Sequence, residues 1–263
     1  MFVGRRAYVA SPTMNRRTYK NPPIQEALCA FHFVPDDQWN VMYPALLYDK
    51  VKGEYSGKPR EQKLVNIEPN PKGVQGFPSA AMALNEITRT QFVTPDEKKI
   101  LGINKDDLSI SVLRPYPGWE VFRPAIEKGL DVYREIAKPK GLRRIGLRYI
   151  NQLEIDGQLA DILKCFASPP PPLAGPNSRI DNFTSRYEYL YNDEPIKVAV
   201  GFARLVAPAG KIAALLDVDL IWQSPADPLD LNQAMAKVDD MRQRERIIFE
   251  SLITDQARQI FDA

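Results

Sequence analysis

Apolar side chains recur at every second position in several segments of the chain, which is the spacing of half-buried β-strands. The first such segment, residues 24–34, reads IQEALCAFHFV. Its apolar side consists of Ala27, Cys29, Phe31 and Phe33. The same spacing predicts further strands at residues 64–69, 88–95, 98–104, 107–115, 142–155, 182–192, 196–206 and 211–222.

Segments with the spacing of amphipathic helices lie between these strands. The predicted helices are residues 39–51, 119–137, 158–167 and 230–261. Both halves of the chain then show one order of elements, namely a strand, a helix, three or four strands and a long helix. The order restarts after KPKG at residues 138–141, which indicates an internal repeat.

We therefore predict an α+β fold of two tandem β-α-β(3-4)-α repeats, which form a curved antiparallel sheet with long helices on one face. Residues 1–20 are a predicted flexible N-terminal arm, with Met14 as an alternative start. Residues 21–140 form the first repeat and residues 141–263 the second, within one integrated domain. This order is similar to the duplicated saddle of TATA-binding-protein-like folds.

The strand that opens the second half, GLRRIGLRYINQLEI, carries arginines in an otherwise apolar pattern. Alternation places Ile145, Leu147 and Tyr149 toward the core helices. Arg144 and Arg148 then point to the opposite face, where a partly covered sheet cannot hold isolated charges cheaply. Carboxylate partners are therefore expected on the same face.

The segment LLDVDLIW supplies such carboxylates, because Asp217 and Asp219 lie two residues apart and share one strand face. Aligning the two halves places Glu26 on that face as well. The predicted network consists of Glu26, Arg144, Arg148, Asp217 and Asp219. Apolar side chains expected on the same face are Val198, Val200, Phe202 and Leu215. A face that mixes apolar groups with paired charges is typical of recognition surfaces and oligomer interfaces.

Three functions are compatible with these residues. The favoured one is a non-enzymatic binding protein that holds a protein or peptide on the open sheet face or the groove beside it, in a toxin-antitoxin or defence context, with homodimerisation as a further expectation. An enzyme or small-ligand protein could instead use Asp217, Asp219 and Glu26 around a cavity between sheet and helices. A nucleic-acid binder could stack bases on Tyr187 and Tyr189 beside the arginines.

Composition narrows this choice. The formal net charge is +2, which provides no global attraction to nucleic acid or to an anionic membrane. His32 is the only histidine, and Cys29 and Cys165 have no zinc or disulfide spacing. No phosphate-binding or catalytic motif occurs. We therefore predict no cofactor, metal site or catalytic residue, and a reducing cytoplasmic location without a membrane span.

The last helix contains an anomaly, because Arg242 and Glu245 fall inside its apolar stripe. Their spacing of three residues allows them to pair with each other. One interpretation, which we favour, is that the helix leaves the core near its middle. The alternative is a buried and satisfied ion pair.

The segments PPIQEALCAFHF, GLRYIN and LLDVDLIW together resemble an uncharacterised, sporadically distributed bacterial and archaeal family whose members open with a PPI-x-EA motif. The resemblance covers residues 22 to about 260. It implies one integrated unit and carries no activity over to this chain.

Overall fold

The computed structural model describes residues 17–34, 39–69, 82–171, 180–192, 194–224 and 226–263, and gives the backbone alone for residues 64–69 and 82–87. The strands are β1 (Ile24–Phe33), β2 (Arg60–Pro69), β3 (Met82–Val93), β4 (Lys99–Ile103), β5 (Asp107–Leu113), β6 (Leu142–Asp156), β7 (Thr184–Leu190), β8 (Ile196–Leu205) and β9 (Lys211–Gln223). The helices are α1 (Tyr43–Val51), α2 (Trp119–Ala137), α3 (Leu159–Leu163), α4 (Ala234–Leu252) and α5 (Asp255–Asp262).

All nine strands belong to one open antiparallel sheet in the order β2-β3-β4-β5-β1-β6-β9-β8-β7. The strands β1 and β6, which open the two halves of the chain, pair at its centre. The later strands of each half continue outward from this central pair on their own side. The predicted mixed α+β fold with an antiparallel sheet is therefore confirmed, whereas the tandem repeat stays a prediction.

The described helices pack on one side of this sheet, which we call the helix face. Phe33 of β1 stacks on Tyr133 of α2, and Phe92 of β3 stacks on Tyr48 of α1. The guanidinium of Arg242 on α4 lies over the ring of Tyr149 on β6. Because alternate strand residues point to opposite sides, the other side chains of these strands form a second surface, which we call the open face.

The central strands follow the predicted alternation. Ile145, Leu147 and Tyr149 are completely buried on the helix face. Their register partners on β1 are Phe31, Cys29 and Ala27. These residues are likewise completely buried. Apolar burial of this kind fixes the register, because a shift by one residue would turn each strand's apolar side away from the core.

The expectation for strand β8 was wrong. Val198, Val200 and Phe202 pair with Leu220, Val218 and Leu216 of β9 and are buried on the helix face. The large apolar side chains of β8 are drawn to the side where the helices exclude water. In its middle, β8 presents small residues to the open face, namely Ala199, Gly201 and Ala203, between Lys197 and Leu205.

The predicted long C-terminal helix is also interrupted. It starts with a 3₁₀ turn at Leu231–Gln233, and α4 ends before Ile253, whose backbone is extended. Ile253 forms a β-bridge with Phe166, and the Thr254 amide donates to the carbonyl of Cys165 at 3.0 Å. These tertiary contacts satisfy the backbone at the break, so that α5 can turn back onto the domain.

Most of the predicted N-terminal arm, including Met14, lies outside the described residues. Its last residues contact the C-terminal helices. The ring of Tyr19 packs edge-on against Phe261 at 5.2 Å, and its hydroxyl donates to Glu250 at 2.6 Å. The backbone N–H of Asn21 donates to the Phe261 carbonyl at 2.8 Å. The segment that leads into β1 is thus held against α4 and α5.

Candidate recognition surface

The centre of the open face has a floor of small side chains. Ala30 of β1 lies opposite Gly146 of β6, and Ser109 of β5 lies on the other side of Ala30. On one side the row continues with Gly102 on β4. On the other side Gly146 lies opposite Ile221 of β9, and Gly201 of β8 lies outside this row, opposite Asp217. Because the residues of the floor rise little above the backbone, the long charged side chains around them form the raised parts of the surface.

The ion pair of Arg148 with Asp217 stands beside this floor. Arg148 Nε donates to Asp217 Oδ1 and Nη2 donates to Oδ2, both at 2.8 Å. The Asp217 side chain is 7% exposed, whereas that of Arg148 is 39% exposed. The hydrogen bond to Asp217 raises the pKa of the Arg148 guanidinium, although burial opposes the shift. The prediction that Arg148 pairs with a carboxylate on this face is confirmed.

Asp219 lies directly opposite Arg148 in the register of β6 and β9. No hydrogen bond joins its carboxylate to the described residues. Burial raises the pKa of Asp219, an effect that Arg148 opposes and that the like charge of Asp217 reinforces. The fold therefore holds this carboxylate half-buried at a cost in stability that no hydrogen bond from the described residues offsets.

Arg144 and Glu26 also lack a hydrogen-bonded partner among the described residues, and together with Asp219 we call them the uncommitted charges. Among the described residues neither side chain forms a hydrogen bond, and the Nε atom of Arg144 is buried without a partner. Arg144 lies opposite His32 on β1. Burial lowers the pKa of His32, and the charge of Arg144 adds to the shift. The five predicted charged residues thus share one face, but only Arg148 and Asp217 are directly hydrogen-bonded.

A second ion pair, which the sequence reasoning missed, lies in the first half of the sheet. Arg89 Nη2 donates to Asp107 Oδ1 at 2.6 Å, and the side-chain amide of Asn104 donates to Asp107 Oδ2. The Arg89 side chain crosses over Gly102, where a Cβ atom would lie 2.7 Å from Arg89 Cδ. The signal available in the sequence was a glycine in the middle of a strand, which often marks such a close approach.

Tyr187 and Tyr189 lie away from these charges. They pair with Val200 and Val198 of β8, which places them on the helix face. Both belong to β7, the last strand of the sheet, and remain 51% and 53% exposed. They therefore cannot provide a stacking surface beside Arg144 and Arg148, as the nucleic-acid alternative required.

The described residues form a cleft between the sheet and the helices with a volume of about 390 Å³. Tyr116, Trp119, Asn151 and Phe249 are among the residues that line it. The carboxylates of the acidic-site alternative point to the opposite side of the sheet, so this cleft does not bring them together. Among the described residues, no group of three or more histidine, cysteine, aspartate or glutamate side chains could hold a metal ion.

Arg242 and Glu245 meet at the inner wall of this cleft. Glu245 is 3% exposed and accepts a hydrogen bond from Arg242. The Arg242 guanidinium lies over the rings of Tyr149 and Trp119, at 4.5 and 5.6 Å from their centroids. Burial raises the pKa of Glu245. The favoured interpretation, that the helix leaves the core here, was wrong, because Arg242 and Glu245 are buried as an ion pair against these aromatic rings, although Arg242 Nε has no hydrogen-bond partner among the described residues.

No protein-family model matches the chain, and a search of curated proteins gives no match. No helix in the described part of the chain is long and apolar enough to cross a membrane.

Proposed function

We propose that this chain is a non-enzymatic binding protein that holds a protein or peptide on its open face. The observation that supports the proposal is the set of uncommitted charges on this face. Glu26, Arg144 and Asp219 have no hydrogen-bond partner among the described residues. Arg144 Nε is buried, where polar groups are normally satisfied, and Glu26 and Asp219 are partly buried. A partner that supplies hydrogen bonds to these groups would gain affinity, because they are already held in place.

The two ion pairs of the open face give this surface its geometry. The two ion pairs, Arg89 with Asp107 and Arg148 with Asp217, flank the floor of small residues. A flat or extended segment can approach the backbone closely over Ala30 and Gly146, which rise little above the sheet, whereas the Arg89 side chain lies over Gly102. The uncommitted charges lie within reach of such a segment and would set its orientation.

The charges also indicate the class of partner. Arginines and carboxylates alternate across the open face rather than separating into one positive patch. A nucleic-acid backbone would meet Glu26, Asp217 and Asp219 as like charges, whereas its binding depends on cations. A protein or peptide carries both signs of charge and both kinds of hydrogen-bonding group, and it therefore fits this face better.

We further propose that the surface is built from two tandem repeats, residues 21–140 and 141–263, in a saddle-like arrangement. The outward strand order from β1 and β6 supports this proposal, since β5 and β9 occupy equivalent places beside them. Each half then contributes one arginine–carboxylate pair, Arg89 with Asp107 and Arg148 with Asp217.

The products of neighbouring genes are the first partners to test, because toxin-antitoxin and defence proteins are commonly encoded beside their partners. Each product would be co-expressed with this chain, and complex formation would be measured with purified proteins. For a complex that forms, Arg144→Ala and Asp219→Asn should each weaken binding about tenfold, since each removes a charged hydrogen-bonding group.

The matched control is Arg143→Ala. Arg143 is the neighbouring arginine on β6, is exposed, and lies at the register irregularity beyond Arg144, outside the regular ladder that forms the open face. Its replacement should leave the affinity unchanged. Equal affinities for all three variants and the unchanged chain would contradict the proposal that the open face holds the partner.

A further inference from the structure

No strand among the described residues pairs with the outer edge of β7. β7 ends the strand order of the sheet, and its main contacts are with β8. All its side chains except Ser185 are exposed. Its register with β8 is regular from Thr184 to Leu190, without a bulge, and its sequence TSRYEYL contains no proline. Bulges and prolines are the usual features that prevent an edge from pairing with another chain.

The opposite edge of the sheet differs in this respect. β2 reads REQKLVNIEP, with three charged residues among its first four and Pro69 at its end. Charges and proline of this kind disfavour edge pairing. β7 also carries two charges, Arg186 and Glu188, but it lacks a proline, so β7 is the edge at which another strand can add more easily.

The hydrogen bonds of β7 show which of its backbone groups are available. The backbone N–H of Arg204 donates to the Phe183 carbonyl, and the backbone N–H of Tyr191 donates to the Ile196 carbonyl. Hydrogen-bonded pairs alternate along an antiparallel ladder, so Ser185, Tyr187 and Tyr189 also bond toward β8. The backbone N–H and C=O groups that point outward are those of Thr184, Arg186, Glu188 and Leu190.

We propose that this edge pairs with β7 of a second copy of the chain, antiparallel and with its two-fold axis at Tyr187. In this register Arg186 lies opposite Glu188 of the other copy, and Thr184 lies opposite Leu190. All the outward backbone groups of both strands then meet as hydrogen-bonded pairs. The sheet continues from one copy into the next, with both open faces on the same side.

The charges of β7 select this register and this partner. Arg186 and Glu188 lie on the open face and are about half-exposed. Within one chain Arg186 contacts Glu188 at 3.4 Å, and Glu188 also accepts a hydrogen bond from Lys197 at 3.2 Å. In the proposed register each arginine meets a glutamate across the two-fold axis. A shift by two residues would oppose either two arginines or two glutamates, which is unfavourable for directly facing positions.

The helix-face side chains agree with this arrangement. The two copies of Tyr187 would face each other as a non-hydrogen-bonded pair, the closer kind of cross-strand contact. Tyr189 would face Ser185. Pairing would thus cover the exposed tyrosines that lie far from the charges of the open face, and it requires nothing of the ligand that the open face holds.

Sedimentation velocity of the full chain over a range of concentrations tests the proposal. The unchanged chain should form dimers. Arg186→Glu and Glu188→Arg should each raise the dissociation constant about tenfold or more, because two attractive pairs become repulsive. The double reversal should restore the dimer. A chain that stays monomeric, single reversals that leave the dimer unchanged, or a double reversal that stays monomeric would overturn the proposal.

Cysteine crosslinking tests the register independently of stability. Tyr187→Cys should form an intermolecular disulfide under mild oxidation, because the two sulfurs would meet across the two-fold axis. Tyr189→Cys is the matched control, since its two copies would be about 13 Å apart along the strands. The native cysteines Cys29 and Cys165 are buried. Equal crosslinking of both variants, or none at Tyr187→Cys, would exclude the proposed register.

Discussion

Replacement of Arg148 by alanine measures how far the charged open face depends on one ion pair. The change removes two hydrogen bonds of 2.8 Å. It leaves the carboxylate of Asp217, which is only 7% exposed, without its partner. Asp219, directly opposite Arg148, also loses the charge that opposes its raised pKa. The protein would then hold two neighbouring carboxylates with less compensation than before.

The size of the effect follows from the unequal exposure of the pair. Loss of one partner from a fully buried ion pair costs about 3–5 kcal/mol, whereas an exposed pair contributes less than about 1 kcal/mol. Solvent reaches Arg148, which is 39% exposed, but hardly reaches Asp217. We therefore expect Arg148→Ala to lower the free energy of unfolding by about 2–3 kcal/mol. Urea denaturation measures it, provided that the m-value is unchanged.

Two further variants separate this mechanism from a general loss of packing. Asp217→Asn should cost only about 1 kcal/mol, because the arginine that remains is partly solvated and lies beside Asp219. Arg186→Ala on the same face should cost less than about 0.5 kcal/mol, since its contact with Glu188 is exposed. A loss below about 1 kcal/mol for Arg148→Ala, or a larger loss for Asp217→Asn than for Arg148→Ala, would refute the reasoning.

Four other variants test separate parts of the fold. The pKa of His32 is lower in the folded chain than in the unfolded chain, where it is about 6.5. Below that pH the unfolded chain binds more protons, so the free energy of unfolding should fall as the pH decreases. His32→Gln should reduce this fall, as measured by denaturation midpoints. Glu245→Ala would leave Arg242 buried without its carboxylate and should cost about 3 kcal/mol or more by the same assay. A chain that starts at Met14 should keep its melting temperature, whereas Tyr19→Ala should lower it by several degrees, because Tyr19 packs on α5; a lower melting temperature for the shortened chain would show that the earlier residues stabilise the fold.

Local alternation in the sequence was sufficient to place the central charges. Arg148 and Asp217 are predicted on one face because the side chains of a strand alternate with a period of two, whichever strand pairs with it. The same rule correctly placed Ile145, Leu147 and Tyr149 toward the helices. It required only that the apolar side of each strand be the buried one.

The prediction for β8 failed because that requirement was not applied to it. Val198, Val200 and Phe202 form the apolar side of β8 and are buried. The apolar pattern of β8 itself therefore contained the correct answer.

Other features were decided only by tertiary structure, because they depend on residues distant in sequence. The break between α4 and α5 follows from backbone contacts of Ile253 and Thr254 with residues near Cys165. The burial of Glu245 depends on its arginine partner and on the aromatic wall around that arginine.

Strand order was the feature least accessible from the sequence. Alternation assigns a face to each side chain of a strand, but it does not determine which strand lies beside another. The central pairing of β1 with β6 and the edge position of β7 are long-range arrangements. They result from burying the apolar sides of all strands under one layer of helices. The sequence by itself thus determined which residues share a face, whereas the tertiary structure decided which of those faces and edges remain open to a partner.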